Sequence, residues 1–299
     1  MINKKVIFFW FMSFISFGQQ ESFLANFTYQ MSLINPAYAG SEAQNMISLT
    51  SRNQWVSLEN SPRTQVMTFS SERKNNVGLG LSVISNNFFV ERNTASYVDF
   101  SYKLNLTSTA ALFLGLKAGA TFYKANLVGL TSFSSSTDPA QGLFTNVNPN
   151  LGIGMLVRTP SFWFSFSTPR LFNSRNSSEY AISSTDRVHT YIGSGFIFTL
   201  NDSFKLKPNL LLRTVSDLST TADLLTLVSF KDRIDFGASF RTNNTFGLVS
   251  YFSLKNFLDV GYAYESPFGN GLSGLSIKTH ELALRFKLQN GIEAEEVEE

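Results

Sequence analysis

From residue 45 to Leu288 the chain is a series of segments of about ten residues in which apolar and polar side chains alternate. In the last segment, one strand face would carry His280, Leu282, Leu284, Phe286 and Leu288. The other face would carry Glu281, Ala283, Arg285 and Lys287. A helix would mix these two sets, whereas a strand separates them. The pattern therefore predicts an all-β protein, an outer-membrane β-barrel whose strands contact lipid on one face.

The segments predict a transmembrane antiparallel barrel of about fourteen strands, and single-chain barrels have even strand numbers. The predicted strands are residues 45–52, 64–71, 77–87, 93–105, 109–124, 150–158, 161–169, 190–200, 203–213, 221–230, 232–241, 245–254, 256–265 and 278–288. The inside and outside faces of 221–230 are ambiguous. Pro208 lies inside a predicted strand and lacks the ladder N–H, so either a β-bulge or a different strand boundary is expected there.

The predicted outer faces are apolar, as Val98, Phe100, Tyr102 and Leu104 are in the fourth strand. The alternate positions carry charges of both signs, so we expect a lumen of mixed charge rather than an ion-selective ring. The predicted lumen-facing charges are Asp99, Lys103, Lys117, Arg158, Lys205, Lys207, Arg213, Asp235, Arg241, Asp259, Glu265, Glu281, Arg285 and Lys287.

Connections between the predicted strands are alternately short and long. If the chain enters the first strand from the periplasm, the short connections are periplasmic turns. Residues 125–149, 170–189 and 266–277 are long and rich in Ser, Thr, Asn, Gly and Pro, so we expect them to be extracellular loops.

The two ends of the chain differ from the barrel in composition. Residues 1–18 have Lys4 and Lys5, an apolar run and small residues before Gln19, which predicts a signal peptide, with a retained interfacial anchor as the alternative. The run is too short for a transmembrane helix. We expect residues 19–44 to form a periplasmic or plug-like segment and residues 45–288 to form the barrel. The tail, 289–299, is rich in Glu and is expected to be solvated.

Composition excludes several classes of protein. Charged residues make up 15% and aromatic residues 14%, with 30 Phe, which suits an outer surface in contact with the lipid bilayer. The absence of cysteine excludes a lipid-anchored lipoprotein, a disulfide framework and thiolate metal sites. Of 24 basic residues two lie in the signal peptide, so the mature chain would be neutral against 22 acidic ones, and no nucleic-acid partner is expected.

Motifs for catalysis or cofactor binding are weak. His189 and His280 have no carboxylates at triad or metal-ligand spacing, so both are interpreted as surface histidines. Gly78-Leu79-Gly80 resembles part of a nucleotide-binding loop but lies in a strand pattern, where an inward glycine that relieves crowding explains it better. We expect no cofactor.

A more specific pattern precedes and follows the barrel segments. It begins with Asn35-Pro36-Ala37-Tyr38-Ala39-Gly40, in which Pro36 restricts φ and Gly40 permits a left-handed turn. Arg52, Gln54 and Trp55 follow before Pro62, and His280-Glu281 opens the last strand. The pattern predicts a periplasmic segment with a defined backbone conformation that could pack against the periplasmic end of the barrel.

These motifs together resemble the PorP/SprF family of outer-membrane proteins linked to type IX secretion and gliding motility. The resemblance implies a barrel without catalytic activity that helps a secreted adhesin to be exported or held at the cell surface. It implies, as partners, the adhesin or its C-terminal domain and the type IX components in the periplasm and outer membrane. The motif residues carry over as family positions only, with either a structural role or direct partner contact open.

Three functions are therefore compared. The first is a non-enzymatic accessory barrel of type IX secretion. The second is a passive channel or small-solute transporter, because fourteen strands leave lumen space unless it is filled; a lumen blocked by residues 19–44 would count against this function. The third is a hydrolase at the rim, which would require His189 to lie beside a serine and a carboxylate.

Overall fold

The computed structural model describes residues 23–288 except Ala43, Ser57 and residues 128–141, 178–182, 217–218 and 269–277. Within residues 174–186, only the backbone of 174–177 and 183–186 is described. The predicted signal peptide, the acidic tail and parts of the three predicted long loops lie outside the described residues.

β-Strands make up most of the described chain. They are β1 (Asn45–Gln54), β2 (Arg63–Ser70), β3 (Val77–Phe88), β4 (Glu91–Asn105), β5 (Ala111–Asn126), β6 (Leu143–Arg158), β7 (Phe162–Arg170), β8 (Ser174–Ser177), β9 (Ser183–Asp186), β10 (His189–Phe196), β11 (Phe198–Thr199), β12 (Phe204–Val215), β13 (Thr221–Phe230), β14 (Ile234–Arg241), β15 (Thr245–Leu254), β16 (Leu258–Pro267) and β17 (Thr279–Leu288). A single α-helical turn, α1 (Met31–Ile34), precedes them, flanked by 3-10 turns at Phe27–Tyr29 and Pro36–Tyr38.

The strands close into one antiparallel barrel. β1 pairs with both β2 and β17, and β10 pairs with both β7 and β12, so neither β1 nor β10 is left as a free edge. β10 and β11 act as one strand along β12, which gives the predicted barrel of 14 strands. β8 and β9 form a separate hairpin. In the described part of the chain, no helix is long and apolar enough to cross a membrane.

Side chains alternate between a buried inner face and an exposed apolar outer face. In β13 the buried residues include Asp223 and Leu225 and the exposed ones include Leu224 and Val228, which resolves the orientation that the sequence left ambiguous. Exposed phenylalanines gather near both ends of the strands, as in the aromatic girdles of membrane barrels. They include Phe196, Phe198, Phe204, Phe230, Phe252 and Phe257 at one end, and Phe88, Phe89, Phe122, Phe240, Phe246 and Phe268 at the other.

Six short turns lie at one end of the barrel, and by the usual arrangement this end faces the periplasm. Two of them place consecutive residues at positive φ, as type I′ turns require: Asn75 and Asn76 at 50° and 63°, and Lys231 and Asp232 at 49° and 53°. The other, extracellular end also has two tight turns, after Phe88 and after Arg241.

The structure differs from the sequence prediction in three places. β6 begins at Leu143 rather than 150, because its polar first half continues to pair with β5. The predicted loop 170–189 contains the hairpin β8–β9. Both alternatives for Pro208, a β-bulge and a different strand boundary, are wrong: Pro208 lies inside β12, and the register with β13 is the same on both sides. Its missing N–H lies opposite the gap between β10 and β11, where pairing with β12 is interrupted.

An arginine placed on the outer face should destabilise the barrel in proportion to its depth. Leu116 is exposed in the middle of β5, so Leu116→Arg should lower the free energy of unfolding by about 2 to 4 kcal/mol. The same change at Leu254, the last residue of β15, should cost at most about 1 kcal/mol. Denaturant titration in lipid vesicles measures both, and equal losses would contradict the placement of the outer face.

Candidate functional site

Residues 23–42, here called the plug, lie inside the barrel. They contact inward-facing side chains from strands on all sides, including β1, β5, β7, β15 and β17. The described plug has little regular structure of its own, so its backbone polar groups must find partners on the barrel wall. The contacts run from Gly40 near the periplasmic end to Phe23 near the extracellular ends of β12 and β14.

We call the periplasmic end of the plug its lower end and the extracellular end its upper end. Asn35 and Pro36 determine the backbone conformation of the lower half. The Asn35 side chain accepts a hydrogen bond from Ala37 N at 2.9 Å, and Pro36 begins the 3-10 turn where no donor is needed. The Asn35 amide also donates to Met155 O on β6 at 2.9 Å. One buried asparagine therefore both ends the extended backbone and attaches the plug to the wall.

Inward glycines let the plug backbone approach the wall closely. A Cβ on Gly115 would lie 2.2 Å from Ala37 N, and a Cβ on Gly78 would lie 2.3 Å from Ala39 O. Gly40 adopts a φ of 62°, which is rare for residues with a side chain. The small residues of both partners are thus required by packing and not by flexibility.

Polar side chains then hold the end of this motif. Arg73 donates to Ala39 O at 2.8 Å and to Gly40 O at 3.0 Å, and Ser101 also donates to Ala39 O. Gly40 N donates to Ser70 Oγ at 2.7 Å. Tyr38 packs edge-on against Trp163, with ring centroids 6.3 Å apart.

The middle of the plug contacts the wall through the Gln30 side-chain amide, the Ser32 backbone carbonyl and the Tyr29 ring. The Gln30 side chain donates to Thr50 at 2.9 Å and accepts from Thr68 at 3.0 Å. The Tyr29 ring stacks on Tyr251 with centroids 3.6 Å apart, and Lys117 donates to Ser32 O at 3.2 Å. The wall partners of these plug residues lie on β1, β2, β5 and β15, so the plug contacts the wall on opposite sides.

A cluster of five buried charges holds the upper end of the plug. Glu281 accepts from the backbone N–H groups of Ala25 and Asn26, each at 3.0 Å, and pairs with Arg52 at 3.1 Å. Arg52 also pairs with Glu265 at 2.5 Å. Arg241 lies 3.5 Å from Glu265 and contacts Asp223. We call Arg52, Asp223, Arg241, Glu265 and Glu281 the ion network.

The other predicted lumen charges are distributed along the inner face. Their contacts are Asp99 with Lys117, Arg158 with Glu42, Lys207 with Asp235, Asp259 with both Arg285 and Lys287, and Lys205 with the exposed Asp232. Arg213 is buried over the Phe23 ring, and Lys103 is partly buried at an inward position of β4. Most of these charges therefore have a partner of opposite sign close by on the inner face.

The remaining motif residues lie at the extracellular rim. Gln54 N donates to Pro62 O at 3.0 Å, which closes the connection between β1 and β2. Trp55 has a φ of 52° and packs edge-on against Phe88. His280 faces outward, with its Nδ1 2.7 Å from the Tyr262 hydroxyl. The motif therefore divides into a plug group, with Asn35–Gly40, Arg52 and Glu281, and a rim group.

Sequence reasoning did not identify Arg73, Ser101 or Tyr251 as partners of the plug. They lie on three different strands or turns and carry no local pattern. The inward glycines Gly78 and Gly115 were the available signal, since a glycine at an inward position marks a close backbone approach.

The described residues give little support to catalysis. They contain no group of three or more His, Cys, Asp or Glu side chains that could hold a metal ion. The interpretation of His189 as a surface residue is wrong, because its side chain points into the lumen at the start of β10 and is buried. Its Nδ1 lies 3.4 Å from the Tyr191 hydroxyl, so a tyrosine stands beside this ring.

Comparison with known proteins gives the family. A family model for the type IX secretion system membrane protein PorP/SprF matches residues 16–286. The chain belongs to the PorP/SprF family. This confirms the resemblance and, with the barrel fold, outer-membrane localisation. No protein of curated function matches the sequence.

Solved structures share the fold. The monoaromatic hydrocarbon channel CymD aligns with a TM-score of 0.56 at 10% identity, over 87% of this chain and 93% of that chain. The P. putida toluene transporter TodX aligns with a TM-score of 0.50 at 8% identity, over 87% and 94% of the two chains. At these identities the similarity concerns architecture only.

Removing the Glu281 carboxylate should release the end of the plug near Ala25, because the backbone N–H groups of Ala25 and Asn26 would lose their acceptor and Arg52 would lose one of its two carboxylate partners. The chain has no cysteine, so a single Ser32→Cys can report plug exposure. In folded protein, Glu281→Ala should raise the rate of maleimide labelling at this position at least about tenfold. Asp232→Ala, which removes an exposed carboxylate, is the control and should leave the rate unchanged. An unchanged rate in Glu281→Ala would contradict the anchoring role.

Proposed function

We propose that this PorP/SprF protein is a non-enzymatic accessory barrel that supports export or surface attachment of a secreted adhesin by the type IX system. The observation that carries the proposal is the filled lumen. The plug packs against inward side chains from most of the barrel circumference and is held at both ends by buried polar contacts. A barrel filled in this way is better suited to presenting its rim and turns to other proteins than to conducting solutes.

The proposed partners contact opposite ends of the barrel. The C-terminal domain of an adhesin would bind at the extracellular end, where the half-buried Trp55 packs against the exposed Phe88. A periplasmic component of the machine would bind at the short turns. The plug fixes the distance between the two surfaces by bracing the barrel from inside.

A passive channel is the second candidate, and two observations favour it. CymD and TodX are a hydrocarbon channel and a toluene transporter, and this chain has a similar architecture. A cavity of about 110 Å³ also remains between the plug and the wall, lined by Phe23, Leu24, Phe27, Tyr97 and Thr121 among others. The cavity is small and lies between the plug and the wall, so the plug would have to move before a solute path could cross the barrel.

Deletion of the gene in its native host tests the first candidate. Surface proteolysis and mass spectrometry of the cell surface and medium should show selective loss of one or a few large type IX substrates, restored by the wild-type gene. The control is the total set of outer-membrane proteins, which should keep its abundance. Unchanged secretion and display would overturn the accessory role.

Planar-bilayer recordings test the channel candidate. The wild-type barrel should conduct poorly, whereas Gly115→Val should conduct measurably, because the new side chain would overlap Ala37 and displace the plug. Gly142→Val is the control, since a Cβ there has no neighbour closer than 3.7 Å. Stable conductance by the wild-type protein would instead favour a channel.

A further inference from the structure

Three cations break the apolar character of the outer face. Arg63 on β2, Arg92 on β4 and Lys124 on β5 are exposed. They occupy outward positions, because the alternate, inward set on each strand includes the buried residues Thr64, Ala95 and Tyr123. In the described barrel strands they are the only charged residues with an outward side chain. All three are positive, and all lie within three residues of the extracellular end of a strand.

Strand register brings these cations into one row. Arg63 is opposite Asn87, Asn87 is opposite Arg92, and Arg92 is opposite Lys124. The row continues with polar residues on both sides. Its members in order are Tyr264, His280, Asn53, Arg63, Asn87, Arg92, Lys124 and Thr145. We call Arg63, Arg92 and Lys124, with Asn87 between them, the cationic row.

The cationic row has no counter-charge of its own. Among the described residues, none forms an ion pair or side-chain hydrogen bond with Arg63, Arg92 or Lys124, whereas many of the cations of the inner face have carboxylate partners. Arg92 and Lys124 lie directly opposite each other on the adjacent strands β4 and β5, and like charges at such positions destabilise a sheet. An anion between them would remove this repulsion.

We propose that the cationic row binds the phosphate groups of a phosphorylated glycolipid in the outer leaflet. Its position at the extracellular ends of lipid-facing strands is where such headgroups lie, and guanidinium groups bind phosphate through paired hydrogen bonds. Neighbouring strands are spaced about 4.8 Å apart, so one headgroup with two phosphates can reach all three cations.

A groove beside Arg63, with exposed apolar side chains next to polar ones, supports a lipid over an acidic protein as the occupant. The groove has a volume of about 1010 Å³ and is lined by Arg63, Asn87 and the exposed side chains Val56, Leu58, Phe88 and Phe89 among others. Cationic and apolar groups side by side match a phosphate next to acyl chains.

Native mass spectrometry of the purified full chain with added lipid A tests the proposal. Wild-type protein should retain lipid A, and the triple variant Arg63→Gln, Arg92→Gln, Lys124→Gln should bind it roughly tenfold more weakly for each cation that is removed. The control variant Lys74→Gln, Arg233→Gln, Lys255→Gln removes three cations from the periplasmic turns and should bind as the wild type does.

The same experiment with dephosphorylated lipid A separates phosphate recognition from acyl-chain binding. Wild-type protein should bind this lipid about as weakly as the triple variant binds the phosphorylated one. Equal binding of both lipids by wild-type protein, or unchanged lipid A binding by the triple variant, would overturn the proposal. Display of the adhesin on cells that carry the triple variant is measured in parallel by surface proteolysis. If the triple variant loses display but binds lipid A as the wild type does, the proposal is overturned and the row is assigned to a protein partner. Heat-modifiable migration on gels verifies that each variant is folded.

Discussion

The bond on which the rest of the lumen depends is the one between Glu281 and the backbone of Ala25 and Asn26. A carboxylate that is 1% exposed is costly to bury unless its oxygens are hydrogen-bonded and its charge is paired. The plug supplies two N–H donors and Arg52 supplies the charge. Plug and barrel therefore complete each other, since each leaves unsatisfied polar groups when the other is absent.

This mutual dependence explains why the family motif is spread over distant parts of the chain. Asn35–Gly40 is the lower contact of the plug, and Arg52 with Glu281 is the upper one. The residues share one task, which is to hold an irregular segment inside a barrel. Inward glycines serve the same task by letting backbone contact backbone where a side chain would block it.

A filled barrel leaves its outer surface as the place where function can reside. The lumen of a barrel this size would otherwise hold water, and filling it with protein leaves the rim, the turns and the lipid-facing wall free for partners. The proposed protein contacts at the two ends and the proposed lipid contact on the wall use different residues, so they can operate together. A lipid bound at the cationic row would fix the barrel in the leaflet from which an adhesin is displayed.

Local sequence patterns were sufficient for the architecture. Alternation of apolar and polar residues in segments such as 203–213 and 278–288 determined the strand number and the mixed-charge inner face. The alternation of short and long connections indicated which end of the barrel carries the periplasmic turns. Both patterns depend only on residues that are close in sequence. Family membership also followed from local motifs. Where the prediction failed, as at the first half of β6 and at Pro208, pairing with the adjacent strand outweighed composition.

The tertiary structure alone decided which residues meet. Arg52 and Glu281 are 229 residues apart in the chain, and only closure of β1 on β17 makes them partners. The same holds for Arg92 and Lys124, whose opposition depends on a register that no single strand encodes. By itself the sequence determined a fourteen-stranded outer-membrane barrel, whereas the filled lumen and the cationic row depend on contacts between distant segments, which a local pattern cannot specify.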